Sequence, residues 1–200
     1  MFLADELVAR KQEGRPLKVG IDGRSGAGKS TLADELGVAV SRKGYEVLRA
    51  SVDDFHNPRE RRHKQGEYSA RGYYEDAFDY ESVVGGLLGP LSGTTFPVPC
   101  RQVSFDQRRN LPLNPAPVPA GTNTILLFEG IFVFRGRLNG YWTIEFFWEL
   151  TPRHRWAELS PAIQGFWARL TRFGGSSQYV MTLHGRFTPM KRIPRPRQTW

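Results

Sequence analysis

Nine consecutive residues carry the densest chemistry in this chain: Gly23, Arg24, Ser25, Gly26, Ala27, Gly28, Lys29, Ser30 and Thr31, which spell G-x-x-x-x-G-K-S-T. Glycines at those positions let backbone N–H groups close around phosphate oxygens, and a helix starting behind them adds the positive end of its dipole. Lys29 supplies a compact positive charge toward the outer phosphates, and the Ser30 hydroxyl can ligate magnesium. All nine are therefore expected to bind a nucleoside triphosphate. Two carboxylates complete the set. Asp53, within S-V-D-D-F-H at residues 51–56, can take the proton of an acceptor hydroxyl and lie near the metal. Glu129 ends an apolar run just before Gly130, where a charge is costly to bury unless it is paired or metal-bound. Lys29, Asp53 and Glu129 are the expected catalytic residues; Ser30, Asp53 and Glu129 are the expected metal site. The expected cofactors are ATP or GTP with Mg²⁺. No N-K-x-D base-reading motif occurs, which argues against a GTPase. Motor and transport ATPases with this loop are usually larger, so a kinase acting on a small molecule is the favoured reading.

Such a site needs elements that hold the loop and both carboxylates at one edge. Residues 16–22 read as a strand entering the glycine turn, and residues 29–42 place Leu32, Leu36 and Val40 on one helical face, stopped near Gly44. A second strand is expected over 45–51, a polar loop or lid over 52–71, and a helix over 77–88 entered through Asp76 or Asp79. Residues 94–106 suit a strand or hairpin. Pro112, Pro115, Pro117 and Pro119 exclude a regular helix or central strand from 111–121, leaving a surface connector. The apolar run T-I-L-L-F at 124–128 suits a central parallel strand, and 141–150 another. A short amphipathic helix is expected over 2–12. Strands alternating with helical stretches predict an α/β fold of three layers around a parallel sheet of about five strands.

Composition sets further bounds. A chain of 200 residues, 40% hydrophobic and 12% aromatic, can bury a full core without a metal or disulfide staple. The single cysteine, Cys100, cannot form an internal bridge and reads as a small core residue of a protein in a reducing cytosol. Asp5 and Glu6 stand where a signal peptide would be basic, and no apolar run reaches spanning length. The expectation is cytoplasmic, with no membrane partner. The net charge of +8 is unevenly placed: residues 1–150 hold nineteen basic and nineteen acidic residues, whereas 151–200 hold nine basic residues and one acid, Glu158. The excess belongs to a tail, so nucleic acid is not expected on the core and is left open for the tail. His56, His63, His154 and His184 show no metal-ligand spacing, and the charge run at 59–64 (R-E-R-R-H-K) reads as a solvated face, with contact to a nucleotide or substrate phosphate as the alternative. Oligomeric state is left open.

The chain resembles the uridine kinase branch of the phosphoribulokinase/uridine kinase family, a branch of the P-loop NTPases. The resemblance rests on G-R-S-G-A-G-K-S-T at 23–31, S-V-D-D-F-H at 51–56, D-A-F-D at 76–79 and L-L-F-E-G-I at 126–131, in family order and spacing over roughly residues 17–150. It implies transfer of the γ-phosphoryl group of ATP or GTP to the 5′-hydroxyl of uridine or cytidine, with Mg²⁺. It also implies that Lys29 and the loop amides hold the phosphates, Ser30 helps hold the metal, Asp53 is the catalytic base and Glu129 a metal-site carboxylate. The sequence departs from the family at three places. R-G-Y-Y-E at 71–75 replaces N-F-D-H-P and its ribose-binding aspartate, and C-R-Q-V-S-F-D at 100–106 stands where a pyrimidine-binding Y-D-F is usual. His56, Tyr73, Tyr74, Arg101 and Phe105 are the substrate-contact candidates that remain. Residues 151–200 lack the family's lid spacing and final strand, although Arg153, Arg155, Arg169 and Arg172 could supply lid charges. The expected division is a kinase domain at 1–150 and a basic segment at 151–200: a divergent lid, a basic peptide for an acidic partner, or an out-of-frame tail. Two alternatives to the nucleoside kinase stand: a pantothenate- or sugar-type kinase, and a nucleotide-binding protein with little turnover acting through its tail.

Overall fold

The computed structural model describes residues 2–148 and, beyond them, the backbone of three strands at Ala168–Leu170, Ser177–Met181 and Phe187–Thr188. Helix α1 (Phe2–Ala9) leads into strand β1 (Leu17–Gly23), the glycine turn, helix α2 (Lys29–Ser41) and strand β2 (Glu46–Ser51). The later strands β7 (Thr124–Gly130) and β8 (Ile144–Trp148) join these in a parallel core of order β2-β7-β1-β8. Every residue of β7 is buried, because helices and loops cover both faces of the sheet. Its side chains alternate between two cores. Ile125 and Leu127 join Leu3, Leu7, Leu32, Leu36 and Val40 under α1 and α2, while Leu126 and Phe128 join Val52, Phe55, Leu87, Leu88 and Trp142 on the other face. The result is the three-layer α/β arrangement expected from the sequence. The stripe Leu32, Leu36 and Val40 is the buried face of α2, and Gly44 turns the chain at φ +86°.

Four expectations change. The stretch 52–71 is not an open loop: it holds a 3₁₀ turn at Val52–Phe55, helix α3 (Arg59–Arg62) and the start of helix α4 (Ala70–Asp76). These short turns bury few side chains, so they leave little apolar periodicity to read. The expected helix over 77–88 is α5 (Tyr80–Val83), capped by Asp79, running on into a π-turn at Val84–Leu88. The proline connector is partly paired. Strand β6 (Val118–Ala120) lies antiparallel to β3 (Val98–Cys100), and β5 (Leu111–Pro112) to β4 (Phe105–Asp106). Both are two-stranded ribbons, where a proline can face away from the partner. Finally, the sheet does not end at β8. The strands of the C-terminal quarter, β9 (Ala168–Leu170), β10 (Ser177–Met181) and β11 (Phe187–Thr188), extend it to seven strands in the order β11-β10-β9-β8-β1-β7-β2, with β9 antiparallel to β8. The other residues of 149–200, with the readings of that segment as lid or tail, lie outside the described residues, as do the side chains of Arg153, Arg155, Arg169 and Arg172.

Candidate active site

Strand register builds the site. Ile21 of β1 and Ser51 of β2 both stand level with Glu129 of β7. The three strands therefore finish together, and the segments that follow, the glycine loop, the turn at Asp53 and Gly130, share one edge. Parallel α/β sheets bind ligands at that carboxyl edge.

The loop's shape comes from its glycines. Gly26 and Gly28 have φ of +73° and +87°, conformations that side chains with a Cβ rarely adopt. Gly28 is also the N-cap of α2, so the helix's unpaired N–H groups open onto the loop. Trp148 pins the loop from β8, its indole Nε1 donating to the Ala27 carbonyl at 2.6 Å. Asp22, at the end of β1, accepts from the N–H groups of Gly23 at 2.6 Å and Phe134 at 3.2 Å, and burial raises its pKa despite both bonds. Inside this frame Lys29 is 7% exposed, and its Nζ donates to the carbonyls of Gly23 (3.0 Å) and Arg24 (2.8 Å). Burial lowers its pKa, and the carboxylates Glu129, Asp22 and Asp53 oppose that shift.

The carboxylates meet the loop. Ser30 Oγ donates to Glu129 Oε1 at 2.9 Å, and Glu129 is 5% exposed. This gives the buried carboxylate a hydrogen-bond donor at one oxygen. The two neighbouring aspartates divide their work. Asp54 Oδ2 accepts from the Ser51 N–H at 3.3 Å and the Asp53 N–H donates to Ser51 Oγ at 3.2 Å, a reciprocal cap that commits Asp54 to the turn. Asp53 is left to line the cleft with Lys29, Ser30 and Glu129. That cleft has a volume of about 480 Å³, within the range of small-molecule sites. The serine hydroxyl beside a carboxylate is a hard-oxygen pair, and magnesium typically takes few protein oxygens and fills its remaining positions with water and phosphate. The donor set fits Mg²⁺.

The D-A-F-D segment acts through its backbone. Asn57 donates from its N–H to the Ala77 carbonyl at 2.9 Å and from Nδ2 to the Asp76 carbonyl at 3.0 Å, while the Asp79 N–H donates to Phe55 at 2.7 Å. These bonds, with the bridge between His56 and Phe78, fasten the turn that bears Asp53. His56 is 5% exposed; its Nδ1 is the donor to the Asp53 carbonyl at 2.8 Å, and burial lowers its pKa.

Of the substrate candidates, the structure brings His56 and Tyr73 to the cleft. It places Tyr74, Arg101 and Phe105 elsewhere. Tyr74 packs on Phe132 and under the Arg135 guanidinium, 3.8 Å from its ring centre. The Arg101 backbone donates to Gly86 at 2.7 Å, and Phe105 is a buried residue of β4. Arg62, His63, Glu67 and Gln107 also line the cleft; Arg62 and His63 belong to the charge run for which phosphate contact was the alternative reading, whereas Glu67 and Gln107 carried no signal. For Arg62 and His63 the only signal was the charge run at 59–64, which has the composition of a solvated face.

Comparisons with known proteins agree with this architecture. A family model described as methylmalonyl Co-A mutase-associated GTPase MeaB matches residues 3–57. An uncharacterized kinase of Schizosaccharomyces pombe, mug58, is 50% identical over 46 residues, 23% of this chain and only 17% of that protein. By backbone shape the chain is similar to a provisionally named uridine kinase of Bacillus stearothermophilus, with a TM-score of 0.58 and 24% identity, covering 72% of this chain and 76% of that one. A provisionally named fructose transport system kinase of Silicibacter sp. TM1040 gives a TM-score of 0.52 and 23% identity, covering 72% and 71% of the two chains. The chain has the α/β P-loop NTPase fold, in the form shared with these kinases. No helix among the described residues is long and apolar enough to cross a membrane.

Proposed function

We propose that the protein is an ATP-dependent phosphotransferase that phosphorylates a hydroxyl group of a small molecule. One observation carries this reading: Lys29, Ser30, Glu129 and Asp53 converge on a single cleft that His56 and Tyr73 also line. A hydrolase needs room only for water beyond the phosphates, whereas this cleft is also lined by residues outside the phosphate loop and its carboxylates. The loop amides and Lys29 hold the donor's phosphates, and Lys29 exchanges its bonds to Gly23 and Arg24 for phosphate oxygens. Asp53 accepts the proton of the acceptor hydroxyl as its oxygen attacks the γ-phosphorus. The bond to the bridging oxygen breaks, and ADP and a phosphate ester leave. Ser30 and Glu129 would hold a Mg²⁺ ion, which would supply charge neutralisation. Rate enhancement then comes from position and electrostatics.

Within this reading, the 5′-hydroxyl of uridine or cytidine is the acceptor that the motif resemblance favours. The cleft supports it only through His56 and Tyr73, since the other candidates lie outside. The MeaB match over 3–57 supports a second reading, a GTPase, and the missing N-K-x-D motif opposes it. Two substitutions test the assignment. Asp53→Asn keeps nucleotide affinity while acceptor-dependent turnover falls about 10²–10⁴-fold. Lys29→Ala weakens nucleotide binding itself by about ten- to hundredfold, the worth of a charge-assisted bond. Calorimetric titration and a coupled ADP assay read both. GTP hydrolysis without any acceptor, undiminished in Asp53→Asn, establishes the second reading instead.

A further inference from the structure

The β4–β5 ribbon pairs Phe105 with Pro112 and Asp106 with Leu111, which leaves residues 107–110 as its turn. Gln107 opens the turn and lines the cleft; Asn110 closes it at φ +55°. Asparagine adopts that left-handed conformation more readily than most residues with a Cβ, so it closes the turn and still carries a hydrogen-bonding side chain. The side chain is committed far along the sequence: Asn110 Oδ1 accepts from the Arg59 N–H at 2.8 Å. Arg59 is the first residue of α3, and Pro58 before it gives no side-chain cap. Asn110 therefore supplies the cap that the local sequence lacks. The helix needs one, because it has four residues, buries none of them and is too short to hold itself together. Its last residue, Arg62, and the next, His63, nevertheless line the cleft. The base of the ribbon is fastened as well. The Ser104 N–H donates to the Asp54 carbonyl at 2.9 Å, and the Leu113 N–H donates to the Ser104 carbonyl at 2.8 Å. One ribbon thus ties the turn that bears Asp53 to the helix that bears Arg62.

Resting on the phosphotransferase reading, we propose that Asn110 is a positioning residue for the acceptor: by capping α3 across the chain it holds Arg62 and His63 in the cleft wall. Asn110 itself does not line the cleft, so it acts only through that helix. The donor's groups stand on other elements. Lys29 and Ser30 open α2, Glu129 belongs to β7, and Asp53 follows β2 directly. Loosening α3 leaves those elements in register and disturbs what the rest of the cleft holds. Binding that requires the closed wall weakens by the fraction of molecules in which the wall is formed.

The test uses the full chain with ATP, Mg²⁺ and three acceptors: uridine, pantothenate and fructose. Asn110→Gly keeps the left-handed turn and removes only the side-chain oxygen, whereas Asn110→Asp keeps an oxygen at the same place. For the acceptor that wild type phosphorylates, Asn110→Gly should raise KM about two- to fivefold, fivefold being the full worth of one ordinary hydrogen bond. The KM of ATP should not move, and Asn110→Asp should match wild type. An unchanged acceptor KM in Asn110→Gly overturns the proposal and keeps the kinase. An equal rise in the KM of ATP also overturns it, because the ribbon would then serve the donor. If wild type phosphorylates none of the three, deuterium uptake over residues 58–64 decides. Uptake about two- to fivefold faster in Asn110→Gly and restored in Asn110→Asp upholds Asn110 as the cap that sets the cleft wall, and the failure belongs to the kinase reading. Equal uptake in all three proteins removes the positioning role.

Discussion

His56 is the residue whose titration the fold alters in a testable way. Its ring is buried against Phe78, with centroids 4.7 Å apart, and Nδ1–H is spent on the Asp53 carbonyl. Burial favours the neutral ring and holds its pKa below 6.5, although Asp53 pulls the other way. The unfolded chain takes up the proton near 6.5 as pH falls, while the folded ring resists. The stability contributed by the neutral ring is thus complete above pH 6.5 and is lost as pH falls through the lowered folded value. Asp22 and Asp54 shift in the opposite sense, both raised by burial, so their contribution grows toward acid pH. They are common to wild type and His56→Gln. Urea midpoints measured from pH 7 to 5 should therefore drop more steeply in wild type than in the variant. Parallel curves would show that the ring titrates as it does in the unfolded chain. Lys29 shows the same economy of contacts: two loop carbonyls accept from its ammonium, at Gly23 and Arg24.

The elements around the site are tuned by close approach. A Cβ on Gly130 would stand 2.2 Å from Val52 Cγ1, so β7 and the Asp53 turn touch at that glycine. Gly130→Ala must separate the two segments that carry Glu129 and Asp53. The expected cost is about 1–3 kcal/mol of stability, as for overpacked cores, with a larger fractional loss of turnover than of nucleotide affinity. Denaturant melts and the coupled assay check both. How much of this was readable varies by element. The strands β1, β2, β7 and β8 were visible because fully buried strands are apolar along their length, and α2 because one face is. The short helices α3 and α4 were not, since α3 buries no residue and α4 only Gly72. Motif spacing placed Asp53 and Glu129 at strand ends, and the register brings those ends level. Tyr74, Arg101 and Phe105 do not line the cleft, since aromatic and long basic residues near a site pack on neighbours as readily as on ligands. The run at 59–64 left phosphate contact open without pointing to Arg62, because a run of charges carries no mark of which one turns inward.

At the scale of the molecule, the sheet is continuous across the boundary where composition breaks. Strand β8 pairs with β1 on one side and with β9 and β10 on the other, through registers such as Phe146 with Leu170 and Ser177 with Ile144. The basic quarter of the chain is therefore tied to the core through backbone pairing. Removing residues 151–200 strips one side of β8 and exposes a strand whose Ile144, Phe146 and Trp148 are buried. Open apolar edges recruit other strands. The truncated chain should associate in a concentration-dependent way by sedimentation, whereas an unchanged sedimentation coefficient would mean that β9–β11 protect nothing. Trp148 joins that same strand to the nucleotide loop, its indole bonded to the Ala27 carbonyl and its own carbonyl lying where a side chain on Gly23 would go. An indole is also a chromophore whose emission depends on the polarity and charge beside it. Loading the loop with a polyphosphate should accordingly change the protein's ultraviolet fluorescence, and Trp148→Phe should silence that change, giving a built-in optical gauge of occupancy that needs no label.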